Sequence, residues 1–254
     1  MAKPRYELKY VSTLATAEAV LERLADVMEP DPHAQGGGYH INSIYWDSRD
    51  CIAYCEKIDG VDNRYKVRLR FYGEITFDTD LSMVTAFLEC KHRINSLIHK
   101  DRVKVRGDTM PEMVEGQFVV PHLWDAVPTE QREDAALLQH LVERRPLFPF
   151  CLVSYYRRPM VCRIDPTLRA TVDTGLRVSG PGAWRQSVWE NGNIFLPPGL
   201  CVIEFKFHWA MPLWLLEIVR EAGLILRRYS KYCAAMESLY PRLAVRGMRF
   251  RDIS

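Results

Sequence analysis

Apolar residues recur at spacings of three and four in only a few stretches, and elsewhere they alternate one for one with polar residues. The first helical pattern runs from Ala15 to Met28, where Ala17, Val20, Leu21, Leu24 and Val27 share a face, with Thr13 placed to cap it and Pro30 and Pro32 to close it. A second helix is predicted over Gln131 to Arg145, before Pro146. A third is predicted over Leu213 to Ala222, between Pro212 and Gly223, and a fourth over Tyr232 to Leu239, just after Ser230, whose hydroxyl suits a first-turn cap.

The alternating segments are predicted strands: Tyr6 to Val11, Tyr39 to Trp46, Tyr65 to Tyr72, Phe87 to Ile94, Lys100 to Arg106, Leu152 to Met160, Leu168 to Val178 and Val202 to Phe207. A further strand pair is expected near Trp184 to Phe195, with Asn191-Gly192 as its turn. Residues 107 to 130 and 179 to 200 read as loop-rich, and Gly36-Gly37-Gly38 as a flexible turn without the Lys-Ser/Thr of a phosphate loop. One domain over residues 1 to 241 is expected, followed by a basic tail at 242 to 254.

What sets these strands apart is their polar member, which is repeatedly Lys, Arg or Glu. Lys66, Arg68 and Arg70 alternate with Val67, Leu69 and Phe71, and Glu89, Lys91 and Arg93 with Leu88, Cys90 and His92. In one strand this is an ordinary solvated face. Repeated over seven strands it suggests a shared interior, because a sheet that closes on itself points one face of every strand inward.

Composition sharpens the point. The 254 residues are 48% hydrophobic and 26% charged, with a net charge of +2, which is globular and offers no whole-molecule attraction for nucleic acid or an anionic membrane. The basic candidates Lys9, Lys66, Arg68, Arg70, Lys91, Arg93, Lys104, Arg157, Arg169, Lys206 and Lys231 outnumber Glu7, Glu89, Asp173 and Glu204 by seven, so the remainder of the chain carries about −5. Positive charge is therefore gathered on one candidate surface. Such a set is costly to confine unless anions neutralise it, and mixed Arg and Lys suit phosphate oxygens. The few carboxylates would hold a divalent cation that bridges those oxygens. No apolar run is long enough to span a membrane, no secretory signal opens the chain, and a cytoplasmic protein is expected. The seven cysteines form no CxxC and the seven histidines no HxxxH; the histidines are expected at the surface or in loops rather than on a metal.

Taken together, RYELKYV at 5–11, IYWDS at 44–48, KVRLRFYG at 66–73, LECKHR at 88–93, VSYYRRPM at 153–160, RATVDTGLRV at 169–178, VIEFKF at 202–207 and YSKY at 229–232 resemble the polyphosphate polymerase domain of the vacuolar transporter chaperone (VTC) family, a branch of the triphosphate tunnel metalloenzymes. The resemblance runs from about Arg5 to about Tyr240, with departures at Arg93, where eukaryotic members have histidine, and at Pro159. It implies an α+β fold built on an eight-stranded antiparallel β-barrel, with helices packed outside and a C-terminal helix at one end. A stand-alone, bacterial-type member is expected.

The resemblance places tunnel-lining basic residues at Lys9, Arg68, Arg70, Lys91, Arg157, Arg169, Lys206 and Lys231, and a metal-binding glutamate at Glu204. Tyr155 and Ser230 match further family positions, and Lys66, Arg93 and Lys104 extend the substrate-binding set. Glu7 is a candidate second metal ligand; Glu7 and Glu89 read alternatively as partners of Lys9 and Lys91, and that is the reading favoured. Asp173 would position an arginine or hold metal through water, and Glu204 with Lys206 would also make an internal ion pair. The implied activity is transfer of the terminal phosphoryl group of ATP to polyphosphate with Mn2+ or Mg2+. ATP and polyphosphate are the expected partners, without nucleic acid. A hydrolase on the same scaffold is the rival, disfavoured because Arg5 replaces the first glutamate of the ExExK run that such relatives resemble. A polyphosphate-binding module without catalysis is the third reading.

Overall fold

The structure is a computed structural model, and it describes residues 5–94, 97–115, 129–186 and 188–243. The expectations for residues 1–4, 116–128 and 244–254 lie outside the described residues. Among the described residues there are ten strands: β1 (Arg5–Thr13), β2 (Met28–Pro30), β3 (Tyr39–Asp47), β4 (Arg64–Tyr72), β5 (Thr85–Ile94), β6 (Leu97–Arg106), β7 (Phe148–Cys162), β8 (Arg169–Ser179), β9 (Asn193–Ile194) and β10 (Leu200–His208). The helices are α1 (Leu14–Leu24), α2 (Ile52–Ile58), α3 (Met110–Val114), α4 (Arg132–Arg144), α5 (Val188–Asn191), α6 (Leu213–Glu221) and α7 (Lys231–Leu239).

The chain forms two compact units. The first comprises residues through His40, Tyr155–Leu176 and Ile194–Ser230; the second comprises Ile41–Ser154, Arg177–Asn193 and the stretch from Lys231 onward. In the first, strand order is β1-β10-β8-β7, with β2 on β7 and β9 on β8; in the second it is β7-β3-β4-β5-β6. Pairing is antiparallel in β1–β10, β10–β8, β2–β7, β3–β4, β4–β5 and β5–β6. The fold is thus α+β on antiparallel sheet, with ten strands where eight were expected. Among the described residues, β6 has one strand neighbour and β1 has β10 plus an isolated bridge from Tyr10 to Leu226, so ring closure is not among these pairings.

Alternation does what it predicts. Tyr10, Ile203, Phe205, Ala170 and Val172 turn into the first core, packed under Val20, Leu21 and Leu24 of α1 and Leu215 and Ile218 of α6. In the second unit Val67, Leu69, Leu88, Cys90 and Val103 pack against Leu138 and Val142 of α4. Fully burying each such side chain contributes roughly 1.5 to 3 kcal/mol, so these cores set the strand register and the opposite faces inherit it. Thr13 caps α1 by accepting from the Thr16 amide at 3.1 Å, as its position predicts.

Three expectations change. Trp184 to Phe195 is not a hairpin: Pro181–Arg185 is a 3-10 turn, α5 follows, and only Asn193–Ile194 pairs as strand. Gly38 is more than a flexible turn, because a Cβ there would meet the Arg157 carbonyl oxygen at 2.6 Å. Helix α2, which periodicity does not reveal, starts from Cys51 at φ 54 with no local side-chain cap. Its cap is remote: buried Asp47 accepts the Ala53 amide at 2.9 Å and the Tyr54 amide at 3.0 Å, together with the Ser48 amide at 2.8 Å and the Tyr232 hydroxyl of α7 at 2.5 Å. One carboxylate therefore holds a helix start, a turn and a second helix.

Replacing it should be costly. Asp47→Ala is expected to lower unfolding free energy by about 3 kcal/mol or more, since several buried donors lose their acceptor at once. Urea unfolding followed by circular dichroism checks this, and Asp47→Asn, which keeps one acceptor oxygen, should lose less.

Candidate functional site

Each unit presents a charged sheet face on the side away from its core. In the second unit cross-strand registers arrange the residues in rows. Lys66 faces Lys91, which faces Lys100; Tyr45 faces Arg68, which faces Glu89, which faces Arg102; Ser43 faces Arg70, which faces Phe87, which faces Lys104. Three lysines directly abreast repel one another across the sheet. The next row supplies the restraint. Glu89, 1% exposed, lies 2.7 Å from Arg68, 2.5 Å from Lys100, 3.2 Å from Arg102 and 3.9 Å from Arg70. Burial alone would raise its carboxyl, but Arg68, Arg70 and Lys100 hold it well below the usual carboxylate range. The same crowding acts on the cations: burial, aided by Arg68 and Arg102 and opposed by Glu89, pushes Lys100 down to about 8.

Around this core of charge Arg68 donates to the Tyr45 hydroxyl at 3.1 Å and Arg70 to the Ser43 hydroxyl at 3.3 Å. Burial pushes the Tyr45 phenol up, yet Arg68, Arg70 and Lys66 outweigh it and the net shift is downward. Lys66 sits over the Tyr232 ring, 4.7 Å from its centroid, next in sequence to Lys231, which is buried as the first residue of α7. Lys104 and Arg93 lie on the same face with exposed side chains, Arg93 opposite Arg64. Seven cations, Lys66, Arg68, Arg70, Lys91, Lys100, Arg102 and Lys104, thus stand in three rows in which Glu89 supplies the one carboxylate among the described residues. Phosphate oxygens are the ligands that such a surface fits best.

The first unit has a different balance. On its charged face Glu7 is opposite Lys206 and Lys9 is opposite Glu204, while Glu204 and Lys206 also face Thr171 and Arg169 of β8. Lys9 pairs with Glu7 at 2.8 Å and Lys206 with Glu204 at 2.8 Å. Arg157 is held by Asp173 through two bonds of 2.6 and 2.8 Å, and its other end lies 3.8 Å from Glu204. Buried Tyr155 lies under that guanidinium, its ring centroid 5.4 Å away. Arg169 reaches Asp31 at 3.5 Å, and Ser230 is the last residue of this unit. Four cations meet three carboxylates here, so this face is close to neutral where the other is strongly positive.

The two glutamates act on each other electrostatically. Burial raises the Glu204 carboxyl, Lys206 lowers it, Glu7 raises it again, and Lys9 and Arg157 bring the net shift below the ordinary range. Both offer hard carboxylate oxygens of the kind that could hold Mg2+ or Mn2+.

The sequence candidates therefore divide, with Lys9, Arg157, Arg169, Lys206, Glu7, Glu204 and Tyr155 on one face and Lys66, Arg68, Arg70, Lys91, Arg93 and Lys104 on the other. Asp173 positions an arginine. The expected pairing of Glu7 with Lys9 is present, and Glu89 meets Arg68, Lys100 and Arg102, because the cross-strand neighbours reach it from both sides. Lys100 and Arg102 were missed as site residues although their period-two spacing marked them. The histidines also need correction: His92 is largely buried and meets Asp101 at 2.6 Å.

Solved structures share the architecture. A putative adenylate cyclase from Bacillus halodurans is 11% identical, with 90% of this chain and 94% of that one covered at a TM-score of 0.52. A putative adenylyl cyclase from Hippeastrum, described as having a dominant triphosphatase activity, is 12% identical, with 93% and 96% covered at a TM-score of 0.52. At such identity these neighbours establish the fold alone. No curated protein matches the chain in sequence. The VTC domain model matches residues 4–240, spanning both charged faces, and the chain belongs to the VTC domain family.

Proposed function

We propose that this protein is a metal-dependent polyphosphate polymerase, which transfers the terminal phosphoryl group of ATP to the end of a polyphosphate chain and releases ADP. The observation that carries this reading is the cross-strand row of Lys66, Lys91 and Lys100 beside Arg68 and Arg70, with Glu89 as the sole carboxylate of those rows among the described residues. Membership of the VTC domain family supports it. The closed eight-stranded barrel belongs to the same proposal.

A chain-terminal phosphate is largely ionised near neutral pH and is already a nucleophile, so the reaction needs alignment and charge neutralisation more than a general base. The arginines bind nonbridging oxygens with paired N–H donors, and the lysines supply point charges that follow the oxygens as negative charge shifts from the transferred group to the departing diphosphate. Asp173 fixes the fork of Arg157, so that side chain meets a phosphate without losing rotamer freedom. Glu7 and Glu204 would hold Mn2+ or Mg2+, which would supply charge neutralisation to the phosphate oxygens. Hydrolysis of a triphosphate on the same residues is the second reading, favoured by the activity described for the Hippeastrum protein. Incubation of the purified chain with ATP and Mn2+ decides between them: a ladder of polyphosphate on a gel supports the polymerase, and orthophosphate without longer products sinks it.

Three further outcomes are expected. Arg68→Ala or Arg70→Ala should weaken tripolyphosphate binding by about tenfold or more while shifting stability by no more than ~1 kcal/mol, because Glu89 retains its other cations; calorimetry on the folded variants checks both numbers. Tripolyphosphate at about 100 times its dissociation constant should add roughly 2.7 kcal/mol of stability, seen as a raised Tm that shrinks with added salt. A shift no greater than that caused by chloride at equal ionic strength would count against the cationic face as a phosphate site. Glu204→Gln should cut metal-dependent ADP release by about a hundredfold or more while tripolyphosphate still binds without metal. If Glu204 serves only as the partner of Lys206, the variant instead loses ~3 to 5 kcal/mol of stability and its folded fraction remains fully active.

A further inference from the structure

A second cluster of ligating side chains lies on the core side of the β5–β6 hairpin, away from the cationic face. Cys90 is directly opposite Asp101 and His92 is directly opposite His99, so the four residues form a square of two adjacent cross-strand pairs on one face. The hairpin closes just beyond, at the pair Ile94 and Leu97. The ligating atoms of Cys90, His92 and Asp101 all lie within 4.8 Å of one another. His92 Nε2 is 2.6 Å from Asp101 Oδ2, and His99 Nε2 is 2.8 Å from Asp101 Oδ1.

A thiol separates this cluster from a plain His–Asp ion pair: Cys90, fully covered, completes the set at its buried edge with its sulfur within 4.8 Å of the ligating atoms of His92 and Asp101, while His99 is 64% exposed and leaves a route from solvent.

We propose that Cys90, His92, His99 and Asp101 form a binding site for a borderline-soft divalent transition metal, with Zn2+ as its natural occupant. Sulfur, two imidazole nitrogens and one carboxylate oxygen make a tetrahedral zinc set, and they discriminate against Mg2+ and Mn2+, which prefer oxygen alone. Cys90, His92 and Asp101 need move little, and His99 joins them from its contact with the other oxygen of Asp101. Zinc bonds of about 2.0 to 2.3 Å place tetrahedral ligand atoms roughly 3.3 to 3.7 Å apart, between the present contacts and the 4.8 Å limit of the cluster. On ligation the Cys90 thiol and any imidazolium give up their protons to solvent, so the charge of the ion is met by a thiolate and a carboxylate. The bound ion clasps the two strands next to their turn. Glu89 and Lys91, which alternate with Cys90 and His92, are thereby held in register on the other face. The site stands independently of the proposed polymerase activity.

Co2+ tests the site directly, because tetrahedral thiolate ligation gives strong visible bands and a near-ultraviolet sulfur-to-metal charge-transfer band. The intact chain, reduced and metal-free, is titrated with Co2+ in excess Mg2+. The expected result is one Co2+ per chain with both band systems, displaced by one equivalent of Zn2+, and a Tm raised by either ion. Cys90→Ser should remove the charge-transfer band, whereas Cys55→Ser on α2 should leave it intact. His99→Gln, at an exposed position that does not endanger folding, should weaken Co2+ binding by about tenfold or more and change the visible bands. Weak octahedral spectra, or spectra that Cys90→Ser and His99→Gln leave unchanged, would overturn the proposal and leave Asp101 as an ion-pair partner of two histidines.

Discussion

Glu89 is a single buried carboxylate among four cations, and the second unit depends on that imbalance. Its neighbours Arg68 and Arg102 stand directly across β4 and β6, so the ionic cluster can form only when both registers are correct. The registers are held by the opposite face, where Leu69, Leu88 and Val103 are fully buried. A slip of one residue would put Lys and Arg into that core and leucines on the charged face. Apolar burial and ionic arrangement are thus two consequences of the same period-two pattern, with burial as the driving term and the charges carried along. The carboxylate offsets part of the repulsion and leaves the rest for a ligand.

The first unit uses the same strand geometry for a different electrostatic end. Glu7 and Glu204 alternate with Lys9 and Lys206 across β1 and β10 in a checkerboard, and Arg157 is committed to Asp173 before any substrate arrives. Matched charges keep this face near neutrality, whereas the face of the second unit keeps an excess of cation.

Asp47 shows how helices are fitted to this sheet. It belongs to β3, yet its oxygens accept from the first amides of α2 and from Tyr232 on α7. Through Tyr232 the same contact sets the ring beneath Lys66 and the start of α7 at Lys231. A residue that resembles a motif position in IYWDS therefore acts by positioning, with its carboxylate fully occupied in the fold.

Strand periodicity, the charged face of each strand and the helices α1, α4, α6 and α7 were legible in the chain, because each depends on residues two to four positions apart. Lys66, Arg68, Arg70, Glu204 and Lys206 could be named for the same reason, and the ordered motifs were sufficient to show the family. Pairings were not legible in this way. That Glu89 meets Arg68 and Arg102 follows from which strands lie beside β5. Helix α2 was missed because its cap comes from Asp47, outside the first turn where local signals lie, and the His92–Asp101 contact was missed because its partners meet across a hairpin. Local sequence determined which side chains share a face, since steric alternation is a property of the strand itself. Only the tertiary structure decided which charges meet across strands, since a pair such as Glu89 with Arg68 or Arg102 is made by two strands and its geometry is written in neither one alone.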